Sequence, residues 1–170
     1  MQRRSAILGS VLFFFIAPTM IAGLVPWWIS RWQVLQASFF GLASVRAAGV
    51  ALIAIGIPVL LESFARFALQ GQGTPAPVAP TRHLVVTGSY RYVRNPIYLA
   101  VTAIILGQGL LFGNVTLLVY GALLALGFHI FVLAYEEPTL RQTFGTQFEA
   151  YTANVPRWVP RLQPWAPDAS

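Results

Sequence analysis

The chain has no cysteine and no lysine, and only five of its 170 residues are acidic. The missing cysteines exclude a disulfide framework, a thiolate metal site and a cysteine nucleophile, and they leave the redox compartment undetermined. The missing lysines exclude a Schiff base and a P-loop. His83 and His129 lie too far apart for the usual metal-ligand spacing, and the lone aspartate, Asp168, gives no Ser/His/Asp arrangement. No glycine-rich Rossmann motif is present.

Apolar side chains dominate the composition. They make up 56% of the residues, charged side chains only 9%, and the mean hydropathy is +0.66. Such a chain has too little polar surface to cover a soluble globule, so we predict an all-α integral membrane protein. The net charge of +6 comes entirely from arginine and favours contact with anionic membrane lipids over nucleic acid.

Four apolar runs predict about four transmembrane helices, since a crossing needs about 20 residues. They cover residues 7–28, 47–61, 97–112 and 115–135. The first run follows a basic N-terminus that also fits a signal peptide, which is the alternative. The second continues to residue 67 through Glu62 and Arg66, spaced for an ion pair, and Pro58 predicts a kink within it.

Only Gly113-Asn114 separates the third run from the fourth, which predicts an antiparallel helical hairpin at the C-terminal side. Pro96 suits the first turn of the third helix. Small residues allow two helices of such a hairpin to approach closely, and we assign this role to Gly107, Gly109, Gly121 and Gly127.

The arginines set the orientation. With four spans and a cytoplasmic N-terminus, only Arg31 and Arg46 fall outside, with residues 30–45 as an outer loop along the bilayer surface. We therefore expect a bacterial inner-membrane protein with both termini cytoplasmic. The arginines predicted to lie inside are Arg3, Arg4, Arg66, Arg82, Arg91, Arg94, Arg141, Arg157 and Arg161.

Two inner segments complete the prediction. Residues 70–81 are a Gly/Pro linker without helix. After Glu137, Pro138 opens a short helix to Phe144, and Thr146 with Glu149 matches a capping box for a second. Prolines then recur every fourth residue from 156 to 164, which predicts an extended strip on the inner membrane face.

One polar cluster is the remaining candidate for a functional site. An arginine-rich octapeptide, residues 91–98, directly precedes the third helix, and Glu136-Glu137 end the fourth. Because a hairpin returns to its starting level, these groups should face each other at the inner membrane surface. Paired acids at the negative end of a helix dipole need compensation, and the natural partner is Arg94, Tyr98 or a bound ligand.

Simpler interpretations of these residues stay open. Arg91 and Arg94 also suit plain headgroup contacts that fix the topology. His129 lies two helical turns before Glu136, about 10 Å deeper. It is either a neutral histidine bonded to a neighbouring helix or a residue of a pocket.

Several blocks in the second half of the chain closely resemble the isoprenylcysteine carboxyl methyltransferase and phospholipid methyltransferase superfamily. The resemblance covers roughly residues 71–161, and the first two spans match only in hydropathy. Each block alone is weak, but their order is specific. The blocks are residues 82–90, 91–98, 136–140, 144–145, 151 and 155–157.

The resemblance implies a membrane-embedded site for S-adenosyl-L-methionine, without a Rossmann domain, between the last two spans and the inner segments. It divides the single membrane domain, 1–170, into two helices up to residue 69 and a methyltransferase core from residue 70. Carried over residue by residue, the cofactor contacts are Arg82, His83, Leu84, Val85, Tyr90, Asn95, Pro96, Ile97, Tyr98 and Glu136. The candidate catalytic residues are Glu137, His129 and Arg94, the first two as bases for an amine acceptor.

Two departures bear on the acceptor. Asn95 stands where many relatives have histidine, and Val132 stands where isoprenylcysteine enzymes have a substrate-binding arginine. The predicted acceptor is a lipid or lipophilic small molecule, with a phospholipid amine slightly ahead of a prenylcysteine carboxylate. The alternatives are a non-catalytic membrane binding or scaffold protein and an NADPH-dependent reductase-like relative. The oligomeric state stays open.

Overall fold

The structure is a computed structural model that describes residues 16–34, 42–66 and 83–166. Within these ranges all regular secondary structure is helical and no strand occurs, which confirms the all-α class. In chain order the helices are α1 (Ile16–Ser30), α2 (Ala43–Arg66), α3 (Pro96–Phe112), α4 (Val115–Phe144) and α5 (Thr146–Asn154).

Helices α2 and α4, with 24 and 30 residues, are long and apolar enough to cross a membrane. Their surfaces carry large apolar side chains such as Ile55, Leu123 and Ile130, each more than half exposed. Surfaces of this kind suit contact with lipid rather than water. In the described part of the chain α1 and α3 are shorter apolar helices, so the four-span topology stays a prediction.

The predicted hairpin of α3 and α4 is confirmed. Gly113 ends α3 in the left-handed region, at φ 68°, where glycine is favoured, and its N–H bonds to the Gly109 carbonyl. Asn114 then caps α4, because its side chain accepts the Leu117 N–H at 3.2 Å. Pro96 begins α3, as expected.

Not all of the predicted glycines lie between the two helices of the hairpin. A Cβ on Gly107 would lie 2.7 Å from the Gly49 carbonyl oxygen, and a Cβ on Gly49 would lie 2.7 Å from that of Gly107. Gly107 therefore serves the crossing of α2 and α3, because its side of α3 faces α2 rather than α4. Gly109 and Gly121 do lie against the opposite helix of the hairpin, whereas Gly127 has no such neighbour within 4 Å.

Helix α1 is joined to the hairpin by buried polar contacts. Its segment Met20–Leu24 has the wider π-helical register. The Gln108 amide donates to the Ala22 carbonyl at 2.7 Å, and the Tyr120 hydroxyl donates to the Ile21 carbonyl at 3.0 Å. Apolar residues of α1, α2 and α3 form the main core around these contacts: Ala22, Leu60, Phe64, Ala100, Val101, Ile104 and Ile105.

Helix α4 extends beyond its predicted end. The predicted short helix from Pro138 to Phe144 is confirmed, but it follows the fourth span without a break, so α4 continues to Phe144. The register widens to a π-helix over Val132–Glu136, just before the proline. A wider turn relieves the clash that a proline ring makes with the carbonyl four residues earlier. Gly145 ends the helix with φ 51°.

The predicted capping box does not form. Helix α5 starts at Thr146 without a side-chain cap, and Glu149 instead bonds to Arg141 at 2.5 Å. The ion pair of Glu62 with Arg66 does form, at 2.8 Å, and Glu62 also accepts hydrogen bonds from Ser89.

After α5 the chain runs without helix over residues 155–166, which we call the tail. Its backbone runs alongside the segment before α3. Arg94 N–H donates to the Pro156 carbonyl at 2.9 Å, and Arg161 N–H donates to the Tyr92 carbonyl at 3.0 Å. The predicted linker, residues 70–81, and residues 35–41 of the predicted outer loop lie outside the described residues.

Candidate functional site

The polar groups of the site meet where three segments come together: the end of the π segment of α4, the start of α3, and the tail. The π segment inserts one residue into a helical turn and so rotates the next residues of α4 relative to a regular α-helix. The two consecutive carboxylates, Glu136 and Glu137, have entirely different partners.

Glu136 faces the other helix of the hairpin. The Tyr98 hydroxyl donates to its Oε2 at 2.8 Å. The Tyr98 ring is stacked on Phe128, with centroids 4.5 Å apart, which fixes the direction of the hydroxyl. Oε1 of Glu136 has no hydrogen-bond partner among the residues that the structure covers. This half-buried carboxylate is therefore oriented by the protein and keeps one oxygen for a ligand.

Glu137 is held by two arginines. Arg157 binds it through both arms of the fork, with Nε to Oε1 at 2.7 Å and Nη2 to Oε2 at 2.8 Å. Arg94 Nη1 donates to Oε1 at 2.9 Å. Only 9% of Glu137 is exposed. Charge-assisted bonds of this geometry are among the strong ones, so Glu137 ties the tail and the segment before α3 to α4.

The pKa values of the two arginines are shifted in opposite directions. Burial lowers the pKa of Arg94 from its usual value, an effect that the nearby Glu137 opposes. Its Nε is buried and has no hydrogen-bond partner in the described ranges. By contrast, the hydrogen bond to Glu137 raises the pKa of Arg157.

His129 contacts the tail rather than a neighbouring helix. The Trp158 indole N–H donates to its Nδ1 at 2.9 Å. In the neutral ring the proton then resides on Nε2, an assignment that rests on this hydrogen bond. Neither nitrogen is a free base while the contact lasts, and the catalytic role of His129 stays a prediction. The catalytic role of Glu137 also stays a prediction, because both of its oxygens accept hydrogen bonds from arginines.

The predicted cofactor residues before α3 have mainly packing contacts. His83 is exposed, Val85 is buried, and Leu84 packs against the apolar cluster of α5. The Tyr90 carbonyl accepts the Tyr151 hydroxyl at 2.7 Å. Burial raises the pKa of both tyrosines, which therefore remain protonated. Arg82 lies outside the described residues.

The first residues of α3 are also held by the protein. The Asn95 amide donates to the Arg157 carbonyl at 3.1 Å, Pro96 is fully buried, and Ile97 packs on the main core. Of the predicted cofactor contacts that the structure covers, Tyr98 and Glu136 are joined directly to each other.

Arg157 and Trp158 were not among the predicted site residues. Arg157 belongs to one of the blocks that carry the family resemblance, which was the one available signal. Its pairing with Glu137 depends on the path of the tail. No group of three or more metal-ligating side chains occurs in the described part of the chain.

A cavity of about 480 Å³ lies between α2 and α3. Ile55, Val59, Leu99 and Ala103 line it, and Glu62 with Ser89 lies at its polar end. By helical periodicity, Leu99 and Ala103 point away from the side of α3 that carries Tyr98. The cavity is therefore separate from the contact of Tyr98 with Glu136.

The phospholipid methyltransferase family matches residues 45–147, more than half of the chain. The matched region runs from α2 into the start of α5 and includes Arg94, Tyr98, Glu136 and Glu137, but it ends before the tail with Arg157. Searches of curated proteins and of solved structures gave no match.

Proposed function

Because the chain belongs to the phospholipid methyltransferase family, we propose that it transfers a methyl group from S-adenosyl-L-methionine to a lipid or lipophilic small acceptor. The family implies a membrane methyltransferase, and its members generally use this donor. The observation that carries the proposal is the Glu136 carboxylate, which Tyr98 orients across the hairpin at 2.8 Å and which keeps one oxygen without a partner among the described residues.

The residues fit the donor chemically. S-adenosyl-L-methionine supplies a methyl group on a positively charged sulfur when it is bound, and it also offers an ammonium group and a ribose diol. An ionised carboxylate accepts hydrogen bonds from either group. Glu136 is that carboxylate, and Tyr98 keeps it in position.

The main work of the protein in such a displacement is to align the donor and the acceptor in a site without water. The stacked Tyr98 and Phe128 rings give the hairpin side an apolar wall. The tail lies over the segment before α3 and is fixed through Glu137. The polar donor would enter from the inner face and the apolar acceptor from the lipid, with both termini cytoplasmic.

The acceptor decides whether a base is needed. A primary amine with a pKa near that of lysine, about 10, must lose a proton, whereas a carboxylate is already ionised at neutral pH. Val132, at the position of the substrate arginine in isoprenylcysteine enzymes, is fully buried and provides no cation. This supports a phospholipid amine ahead of a prenylcysteine carboxylate. Glu137 or His129 is the proposed base, and either one would first have to release its present partner, Arg157 or Trp158.

The test is direct. The purified protein is incubated with methyl-labelled S-adenosyl-L-methionine and a total lipid extract, and mass spectrometry identifies the labelled product. We expect a methylated lipid amine. A thermal-shift comparison of S-adenosylhomocysteine with NADPH serves as the cross-check, and stabilisation by NADPH alone would contradict the proposal in favour of a reductase.

A further inference from the structure

The ion cluster around Glu137 carries an excess of positive charge. Arg94 and Arg157 share this one carboxylate. Of the remaining acids that the structure covers, Glu136 bonds to the neutral Tyr98 hydroxyl and to no arginine, and the other two pair with arginines elsewhere. The directly paired groups are therefore two guanidiniums and one carboxylate, a net charge of about +1.

Burial makes this excess unfavourable. The Arg94 side chain is 12% exposed, and its Nε is both buried and without a partner among the described residues. A buried donor that bonds to nothing, on a cation that is only half compensated, has a large desolvation cost. A ligand that brings negative charge to this guanidinium would remove that cost.

The arginines are also held in place before any ligand arrives. The backbone N–H of Arg94 is bonded to the Pro156 carbonyl, and the backbone carbonyl of Arg157 accepts the Asn95 amide. The fork of Arg157 is fixed on Glu137. Both guanidiniums are therefore preorganised, and little entropy is lost when an anion binds.

We propose that Arg94, supported by Glu137 and Arg157, binds an anionic oxygen group of a substrate. A planar guanidinium binds phosphate and carboxylate through paired N–H donors. The inference rests on the proposed function, which supplies two sources of this chemistry: the phosphate of a phospholipid acceptor and the carboxylate of the methyl donor.

The experiment measures binding and needs no turnover. Wild type, Arg94→Gln and Arg94→Lys are compared in detergent, with Arg141→Gln as the matched control. Arg141 forms an exposed pair with Glu149, so its loss changes the net charge equally and leaves the hydrogen bonds around Glu137 in place. Calorimetry measures the affinity for S-adenosylhomocysteine and for its decarboxylated analogue. Native mass spectrometry measures the affinity for phosphatidylethanolamine and for oleylamine, which has no phosphate.

The two sources give different results. If the group is the phosphate, Arg94→Gln weakens phosphatidylethanolamine binding by about tenfold or more and leaves oleylamine and S-adenosylhomocysteine unchanged. If it is the carboxylate, the same variant weakens S-adenosylhomocysteine by that factor and leaves the decarboxylated analogue unchanged. Arg94→Lys keeps the charge without the fork and should recover only part of the loss.

Unchanged affinity of Arg94→Gln for all four probes would overturn the proposal. If Arg94→Gln does not fold, Arg94→Lys is measured instead. Wild-type affinity of Arg94→Lys for all four probes would then contradict binding through the paired N–H donors of Arg94. A protein that binds phosphatidylethanolamine through Arg94 but transfers no methyl group would contradict the proposed function alone.

Discussion

Glu137 and Arg157 lie twenty residues apart in the chain and meet in a two-point contact, with Nε–Oε1 at 2.7 Å and Nη2–Oε2 at 2.8 Å. Arg94 binds the same carboxylate from the segment before α3. One side chain at the end of the π segment thus joins three parts of the chain. The tail has no helix of its own, so this contact is its main polar attachment to α4 in the described structure.

Arg157→Leu should therefore destabilise the protein. Glu137 would remain buried with Arg94 alone, and we expect a loss of about 2 kcal/mol in the free energy of unfolding. Arg157→Lys should recover part of it, because lysine keeps the charge but not the fork. The measurement is unfolding in mixed detergent micelles. Arg141→Leu is the control, since its pair with Glu149 is more than half exposed and should contribute less than about 0.5 kcal/mol. Equal stabilities of the two leucine variants would contradict the assignment.

Local patterns in the sequence predicted much of this arrangement. The hairpin could be predicted from two turn residues between apolar runs, because Gly113 permits the left-handed conformation and Asn114 caps the next helix. Helical spacing predicted the ion pair of Glu62 with Arg66. The return of the hairpin, which brings both ends to one level, predicted that the arginine-rich segment meets Glu136-Glu137.

Most of what the sequence could not predict concerns contacts between distant segments. Pro138 alone does not identify Val132–Glu136 as a π-helix, because a shift of hydrogen-bond register also depends on packing around the helix. Gly107 was assigned to the wrong helix pair, since composition shows that a close approach is possible but not which neighbour makes it. The pairing of Arg157 with Glu137 requires the path of the tail.

Glu136 should control the affinity for the methyl donor. Replacing it by alanine removes the carboxylate that Tyr98 orients, and we expect S-adenosylhomocysteine to bind about tenfold more weakly or worse. Calorimetry in detergent measures this. Glu149→Ala removes an exposed acid from α5 and should leave the affinity unchanged. Wild-type affinity in Glu136→Ala would remove Glu136 from the donor site.

Two glycines provide a matched test of the helix packing. Gly107→Ala would place a methyl group 2.7 Å from the Gly49 carbonyl oxygen, so α2 and α3 must separate, and we expect a loss of about 1–3 kcal/mol in stability. Gly127→Ala meets no such neighbour within 4 Å and should be neutral or stabilising by up to about 1 kcal/mol, because alanine favours helix. Unfolding in mixed micelles compares the two. The same response in both would show that the α2–α3 crossing is not close.

The contact between His129 and Trp158 separates a positioning role from a catalytic one. If His129 acts only by accepting the Trp158 N–H, then His129→Ala and Trp158→Phe break one and the same interaction. We expect each to lower turnover by less than about tenfold and the double variant to be no worse than either, since effects through a shared contact are not additive. A general base would behave differently, because its loss costs about 10²–10⁴ in rate while Trp158→Phe leaves the imidazole in place. The measurement that distinguishes the two roles is the turnover of labelled S-adenosyl-L-methionine by the three variants. A large loss confined to the two variants without His129 would establish it as the base.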